Sequence, residues 1–140
     1  MAEDQQKAFN QQIIEEFRAN GGKVAMFPDY PMIILHTIGR KSGNTMLVPL
    51  VLIINDDNDM LIFGSAAGAK DHPAWALNLR ANPSINVEVG TEEFAVRVEE
   101  LEGDELAEKL AEQAGISDVF AGYVTSAAPR TIPVFRLHRV

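Results

Sequence analysis

The sequence predicts an α+β fold whose antiparallel sheet curls toward a barrel. Short β-branched runs are joined by tight Gly, Asn and Asp turns, so consecutive strands must pair antiparallel. The helical stretches fall early, once in the middle and late, where they cannot act as regular crossovers between parallel strands. A chain of 140 residues with 46% hydrophobic and 23% charged content fits one domain, over 1–140, with a sizeable core and no need of crosslinks.

The elements follow in order. Residues 4–20 form a helix with an apolar stripe at Phe9, Ile13, Ile14 and Phe17, stopped by Gly21 and Gly22. The stripe is expected to pack on the core. Its alternative is a peripheral membrane contact, which Glu15 and Glu16 disfavour because membrane-surface helices carry cations beside the apolar face. A strand over 32–37, a turn over 39–44 and a strand over 45–54 make a hairpin. Asp56, Asp57, Asn58 and Asp59 turn the chain into a strand over 60–65. They lack the downstream glutamate and flanking helices of a calcium loop. Residues 65–70 are a loop of small side chains. A short helix over 73–81 has Pro73 in its first turn, Asp71 or His72 as cap, and Asn82-Pro83 at its exit. Residues 84–90 and the segment around Phe94, Val96 and Val98 alternate in polarity across a Gly90-Thr91 hairpin. An amphipathic helix over 105–114 turns Leu106 and Leu110 inward, and 132–140 closes the chain as a strand.

Composition excludes several classes. With no cysteine there are no disulfides, thiolate metal sites or thiol nucleophiles. His36, His72 and His138 show no metal-ligand spacing, so no metal is expected. The polar N-terminus lacks a signal-peptide layout, and the longest apolar run, over 46–54, is broken by Pro49 and too short for a bilayer; a cytoplasmic protein is expected. A formal net charge of −8 disfavours nucleic-acid binding, which needs many cations on many phosphates. A small anion needs only a few.

Two segments could supply them. Ile-Gly-Arg-Lys-Ser-Gly over 38–43 puts Arg40, Lys41 and Ser42 on a glycine-framed turn, where backbone N–H groups can approach a ligand. An ordinary solvated hairpin tip is the competing account. Ser-Ala-Ala-Gly-Ala-Lys over 65–70 then leaves room for a ligand before a helix N-terminus, with Lys70 adding charge. Trp75, the only tryptophan, is either a wall for a planar ring or a core anchor between helix and sheet. No side chain here performs redox chemistry unaided, so electron transfer would require an organic cofactor.

Gly39-Arg-Lys-Ser-Gly43 with Pro49-Leu50, then Ser65-x-x-Gly-x-x-x-x-Pro-x-Trp75-x-x-Asn-Leu79-x-Ala-Asn-Pro83, then Arg130-Thr-Ile-Pro133, resemble in order and spacing the deazaflavin-dependent nitroreductase family. The resemblance runs from about Ile34 to the C-terminus. It implies a split β-barrel, FMN-binding-like, with an N-terminal helix and two further helices. It also implies coenzyme F420, an 8-hydroxy-5-deazaflavin carrying a phosphate and an oligoglutamate tail. Arg40, Lys41 and Ser42 would hold the phosphate and tail, and Gly43 and Pro49 would also belong to the cofactor-binding set. Ser65, Ala67, Gly68, Lys70 and Trp75 would form the ring pocket. Tyr123 would be the catalytic side chain, with Phe120 where some relatives carry a second tyrosine. Met46 and Ala66 replace an arginine and a lysine found in relatives. The implied activity is hydride transfer from reduced F420 to a small electron-poor acceptor such as a quinone, an enone or a nitro compound. A non-catalytic coenzyme carrier and an FMN-dependent enzyme are the alternatives, and the oligomeric state is left open.

Overall fold

The computed structural model describes residues 3–140. The chain runs through α1 (Glu3–Ala19), β1 (Met32–Ile38), β2 (Thr45–Val51), β3 (Ile53–Ile54), β4 (Met60–Phe63), α2 (Ala74–Ala81), β5 (Ser84–Val89), β6 (Glu92–Glu100), α3 (Gly103–Ile116), α4 (Asp118–Ala127) and β7 (Val134–Arg139). The strands form one sheet in the order β2-β1-β5-β6-β7-β4-β3, and every pair is antiparallel.

The two edge strands, β2 and β3, are separated in sequence by Leu52 alone. One bent strand therefore visits both edges, and the sheet has to curl on itself to allow it. Leu52 is fully buried at the bend, with its N–H donating to the Pro31 carbonyl at 2.9 Å. The single strand expected over 45–54 is thus two strands with a corner.

Strand periodicity assigns the two faces of β1. Ile33 and Leu35 point into the barrel with Leu52, Ile62, Val87, Val96 and Phe135. Met32 and Ile34 point outward and are covered by Ile13, Ile14 and Phe17 of α1. Phe17 keeps only 1% of its surface exposed. Each such burial contributes roughly 1.5–3 kcal/mol, so the apolar stripe of α1 belongs to the core. Among the described residues no helix is long and apolar enough to cross a membrane.

The α+β class and the curled antiparallel sheet agree with expectation, but two further details differ. After α1 come three helices rather than two, because 118–127 is helical. Pro73 occupies the N-cap of α2 without a side-chain cap bond, so neither Asp71 nor His72 caps it. Arg80, in the last turn of α2, donates to both carboxylate oxygens of Glu100 at 2.9 and 2.8 Å.

Candidate functional site

The turn after β1 is built from its own backbone and Ser42. Gly39 N–H donates to the Asn44 carbonyl and Gly43 N–H to the Gly39 carbonyl, both at 2.9 Å, while Asn44 N–H donates to Ser42 Oγ at 3.1 Å. Gly43 sits at φ 73°, where a side chain would strain the backbone. A Cβ on Gly39 would lie 2.5 Å from Ser42 Oγ. The Ser42 oxygen is therefore engaged in shaping the turn, and its O–H remains available as a donor.

Helix α2 holds this turn in place. Asn78 Oδ1 accepts from both the Arg40 backbone N–H (3.1 Å) and Arg40 Nη1 (3.0 Å), and Asn82 Nδ2 donates to the Ile38 carbonyl at 3.4 Å. Trp75 lies one helical turn before Asn78, so the cationic turn and the indole adjoin the same short helix. Arg40 and Lys41 are exposed, and among the described residues neither forms an ion pair with a carboxylate. Pro49 is paired with Ile34 on edge strand β2, where its missing N–H removes no interior ladder bond.

The segment after β4 adopts an unusual conformation. Ala66, Ala67 and Gly68 have consecutive positive φ values of 47°, 51° and 80°. Non-glycine residues there cost of order 1–3 kcal/mol each and persist only where surroundings impose them. The C-terminal part of the chain does so. Ser126 Oγ donates to the Gly68 carbonyl at 2.9 Å, and Lys70 Nζ to the Ala128 carbonyl at 2.6 Å. Arg130 fans its guanidinium over the loop: Nη1 donates to the Gly64 carbonyl (3.0 Å), Nη2 to those of Ser65 (2.9 Å) and Ala69 (2.8 Å), and Nε to Ala69 (3.0 Å). Nη1 also lies 3.0 Å from His72 Nδ1. Guanidinium nitrogens can only donate, so this Nδ1 accepts and the imidazole proton resides on Nε2. Burial, followed by the Arg80 and Arg130 cations, holds His72 below the ordinary imidazole range.

Of the ring-side residues, Ser65, Ala67, Gly68 and Lys70 are thus gathered by one clamp, and α4 abuts them. A Cβ on Gly68 would lie 3.1 Å from Tyr123 Cα. Tyr123 is half-buried beside Phe120 and Ile132. Phe120 is only 7% exposed and stands edge-on to Phe63 at 5.3 Å, so it is a core residue and not part of a substrate-facing surface. Trp75 is half-buried and packs on the barrel core, 5.9 Å from the Phe135 ring. It anchors α2 and keeps part of its indole outward.

Lys41, Ala66, Ala67 and Lys70 are all exposed. A cavity of about 880 Å³ lies elsewhere, between the end of α1, residues 20–32 and the β5–β6 turn. No residue of the candidate site lines it. His36, Glu88 and Glu93 also converge, with one donor atom from each within 4.8 Å of the others. Arg18 already donates to both Glu88 oxygens at 3.1 and 2.8 Å, filling the cationic position itself.

The model of a family described as F420H(2)-dependent quinone reductase matches residues 9–138. The chain belongs to that family. A candidate F420H(2)-dependent quinone reductase of Mycobacterium tuberculosis is 35% identical over 77 residues, 55% of this chain and 64% of that protein. A second M. tuberculosis protein, named as an F420H(2)-dependent quinone reductase, is 35% identical over 66 residues, 47% of this chain and 44% of its own length. The matched stretch therefore spans less than two thirds of either relative. Among solved structures, an F420-H2 dependent reductase superposes with TM-score 0.65 and 30% identity, covering 77% of this chain and 94% of its own. A domain-swapped dimer superposes with TM-score 0.67 and 26% identity, covering 95% and 98%. These similarities place the curled sheet among the split barrels of F420H(2)-dependent reductases.

Sequence reasoning found the turn, the small-residue loop and Trp75. It gives Asn78 and Arg130 no role, although both stand inside the motifs that carry the resemblance, and it reads His72 as a helix cap rather than as the partner of Arg130.

Proposed function

We propose that the chain is a reductase that binds coenzyme F420 and uses its reduced form to reduce a quinone-class acceptor. The observation that carries this is the exposed pair Arg40 and Lys41, fixed by Asn78 to the helix that bears Trp75. The donor set suits the coenzyme. An overall acidic chain keeps two cations without carboxylate partners where a phosphate and a polyanionic tail need them. Ser65 in the right-handed helical region followed by Ala66 at φ 47° is the backbone sequence that gathers N–H groups into an anion-receptive concavity.

When bound, the deazaflavin supplies the hydride, and the chain supplies binding and orientation. Arg40, Lys41 and Ser42 hold phosphate and tail, while Gly43 and Pro49 shape the hairpin that presents them. Ser65, Ala67 and Gly68 offer backbone to the ring, bounded by Lys70 and Trp75. Tyr123, on the helix that abuts Gly68, is the hydroxyl we assign to the developing oxyanion of the acceptor. The reading keeps the cytoplasmic placement and the one-domain organisation expected from the sequence. Any membrane contact of α1 would have to use its polar face, since Ile13, Ile14 and Phe17 are covered.

Titration with F420 and with FMN, followed by Trp75 fluorescence, tests the cofactor. Turnover of menadione with reduced F420 tests the reaction. Lys41→Ala is expected to weaken F420 binding roughly 3–10-fold and to lower its salt dependence, as loss of one screened charge requires. Tighter binding of FMN would favour an FMN enzyme, and tight F420 binding without turnover would favour a carrier.

A further inference from the structure

We infer that Asn78 is a positioning residue that aims Arg40 at an anionic ligand while leaving its charge intact. The inference rests on the F420 reading above and concerns the residue that makes the phosphate side work.

The contrast is internal to the molecule. Arg18, Arg80, Arg136 and Arg139 each rest on glutamate, and their fields are largely cancelled by it. Arg40 rests instead on an amide. Asn78 is 4% exposed, and its Oδ1 takes two hydrogen bonds from the same residue, one from the backbone N–H and one from Nη1. The double contact fixes where the Arg40 main chain sits and which way its guanidinium leaves it. A carboxylate would satisfy both donors at least as well, because charge-assisted hydrogen bonds are the stronger kind. It would also neutralise the guanidinium and repel an incoming phosphate. The amide has the acceptor geometry without the charge. The remaining Nε and Nη2 N–H groups of Arg40 have no partner among the described residues and can reach a ligand oxygen. Asn82, one turn further along α2, secures the adjacent Ile38 carbonyl, so the turn is held at two points and Asn78 is the one that touches the cation.

Asn78→Asp separates this role from a purely structural one. It preserves the Oδ1 acceptor and exchanges an amide nitrogen that donates to none of the described residues for a charged oxygen, so the turn should stay docked and the thermal midpoint should not fall. Binding is measured with F420 and with the same deazaflavin riboside lacking phosphate and tail, each over a range of salt. Asn78→Asp is expected to bind F420 about tenfold more weakly, the loss of one contact to a charged group, and with a shallower salt slope. The tail-less riboside should bind as it does to wild type. Equal losses for both ligands, or no loss for either, would overturn the inference. Should Asn78→Asp not fold, Asn78→Ala decides the matter. Removing the acceptor but not the Arg40 charge should weaken F420 several-fold with the salt slope kept, and unchanged F420 affinity would overturn the inference. Failure of wild type to bind F420 at all would count against the parent reading instead.

Discussion

Arg130 directs all of its donors inward, and His72 makes that arrangement sensitive to pH. The guanidinium meets carbonyls of Gly64, Ser65 and Ala69 and the lone pair of His72 Nδ1. A protonated imidazole would oppose one donor with another, while burial and the Arg80 and Arg130 charges disfavour the cation further; Glu100 and Asp71 act in the opposite sense but more weakly. The folded imidazole therefore titrates below its unfolded value of about 6.5. Between those two values the unfolded chain binds more protons, so stability rises with pH. The contribution of His72 is fully present above about pH 6.5 and is lost as pH falls through the lower folded value. Urea midpoints followed from pH 8 to 5 should decline in wild type. They should decline less in His72→Gln, whose amide oxygen can still accept from Arg130. Parallel profiles for the two proteins would refute the assignment.

At the scale of elements, the left-handed loop and α4 form one unit. Gly68 sits at φ 80°, and an added Cβ would meet Ser126 Cβ at 3.0 Å and Tyr123 Cα at 3.1 Å. Gly43 sits at φ 73°, but a Cβ there meets nothing within 4 Å. Both substitutions to alanine incur the left-handed penalty of roughly 1–2 kcal/mol, and only Gly68→Ala adds crowding against backbone, roughly 1–3 kcal/mol more. Denaturant melts should rank Gly68→Ala clearly below Gly43→Ala, and equal losses would show that α4 yields to the new methyl. This unit was also the part least legible in the sequence. Residues 118–127 contain Gly122 and the β-branched Val119, Val124 and Thr125, all poor helix formers. What makes the segment helical is its Ser117 cap, which accepts from Phe120 N–H at 3.1 Å, together with packing on the loop. The Arg130 clamp was equally hidden, because four of its five bonds end on carbonyls, which every residue carries. By contrast, the hairpins, the stripe of α1 and the cationic turn were legible, because turn chemistry and period are local properties of the chain.

For the molecule as a whole, the surplus of acidic groups is organised by arginines that tie distant parts together. Arg18 on α1 reaches Glu88 on β5, seventy residues away, and His36 Nε2 approaches the same carboxylate at 2.7 Å. This contact joins α1 to the barrel on its polar side, as Phe17 does on its apolar side. The hydrogen bond from Arg18, and then that from His36, hold Glu88 below the ordinary carboxylate range against the opposing effect of burial. The sign follows from linkage: the unfolded chain takes up the proton first as pH falls. The Glu88 contribution is thus fully present above its unfolded value near 4.5 and disappears as pH drops through the lower folded value. Glu99 is lowered in the same way, by His138 and then Arg136, so the acid limb has more than one source. Glu88→Gln keeps an acceptor for Arg18 and should cost about 1 kcal/mol at pH 7, because the Arg18 side chain is 48% exposed and its pairing is screened. As pH falls from 4.5 through the lower folded value the variant and wild type should converge, since a protonated Glu88, like Gln, presents a neutral group to Arg18. Chemical denaturation at pH 7 and pH 3 measures both values. A difference that stays constant across that range would mean that Glu88 holds α1 by shape rather than by charge.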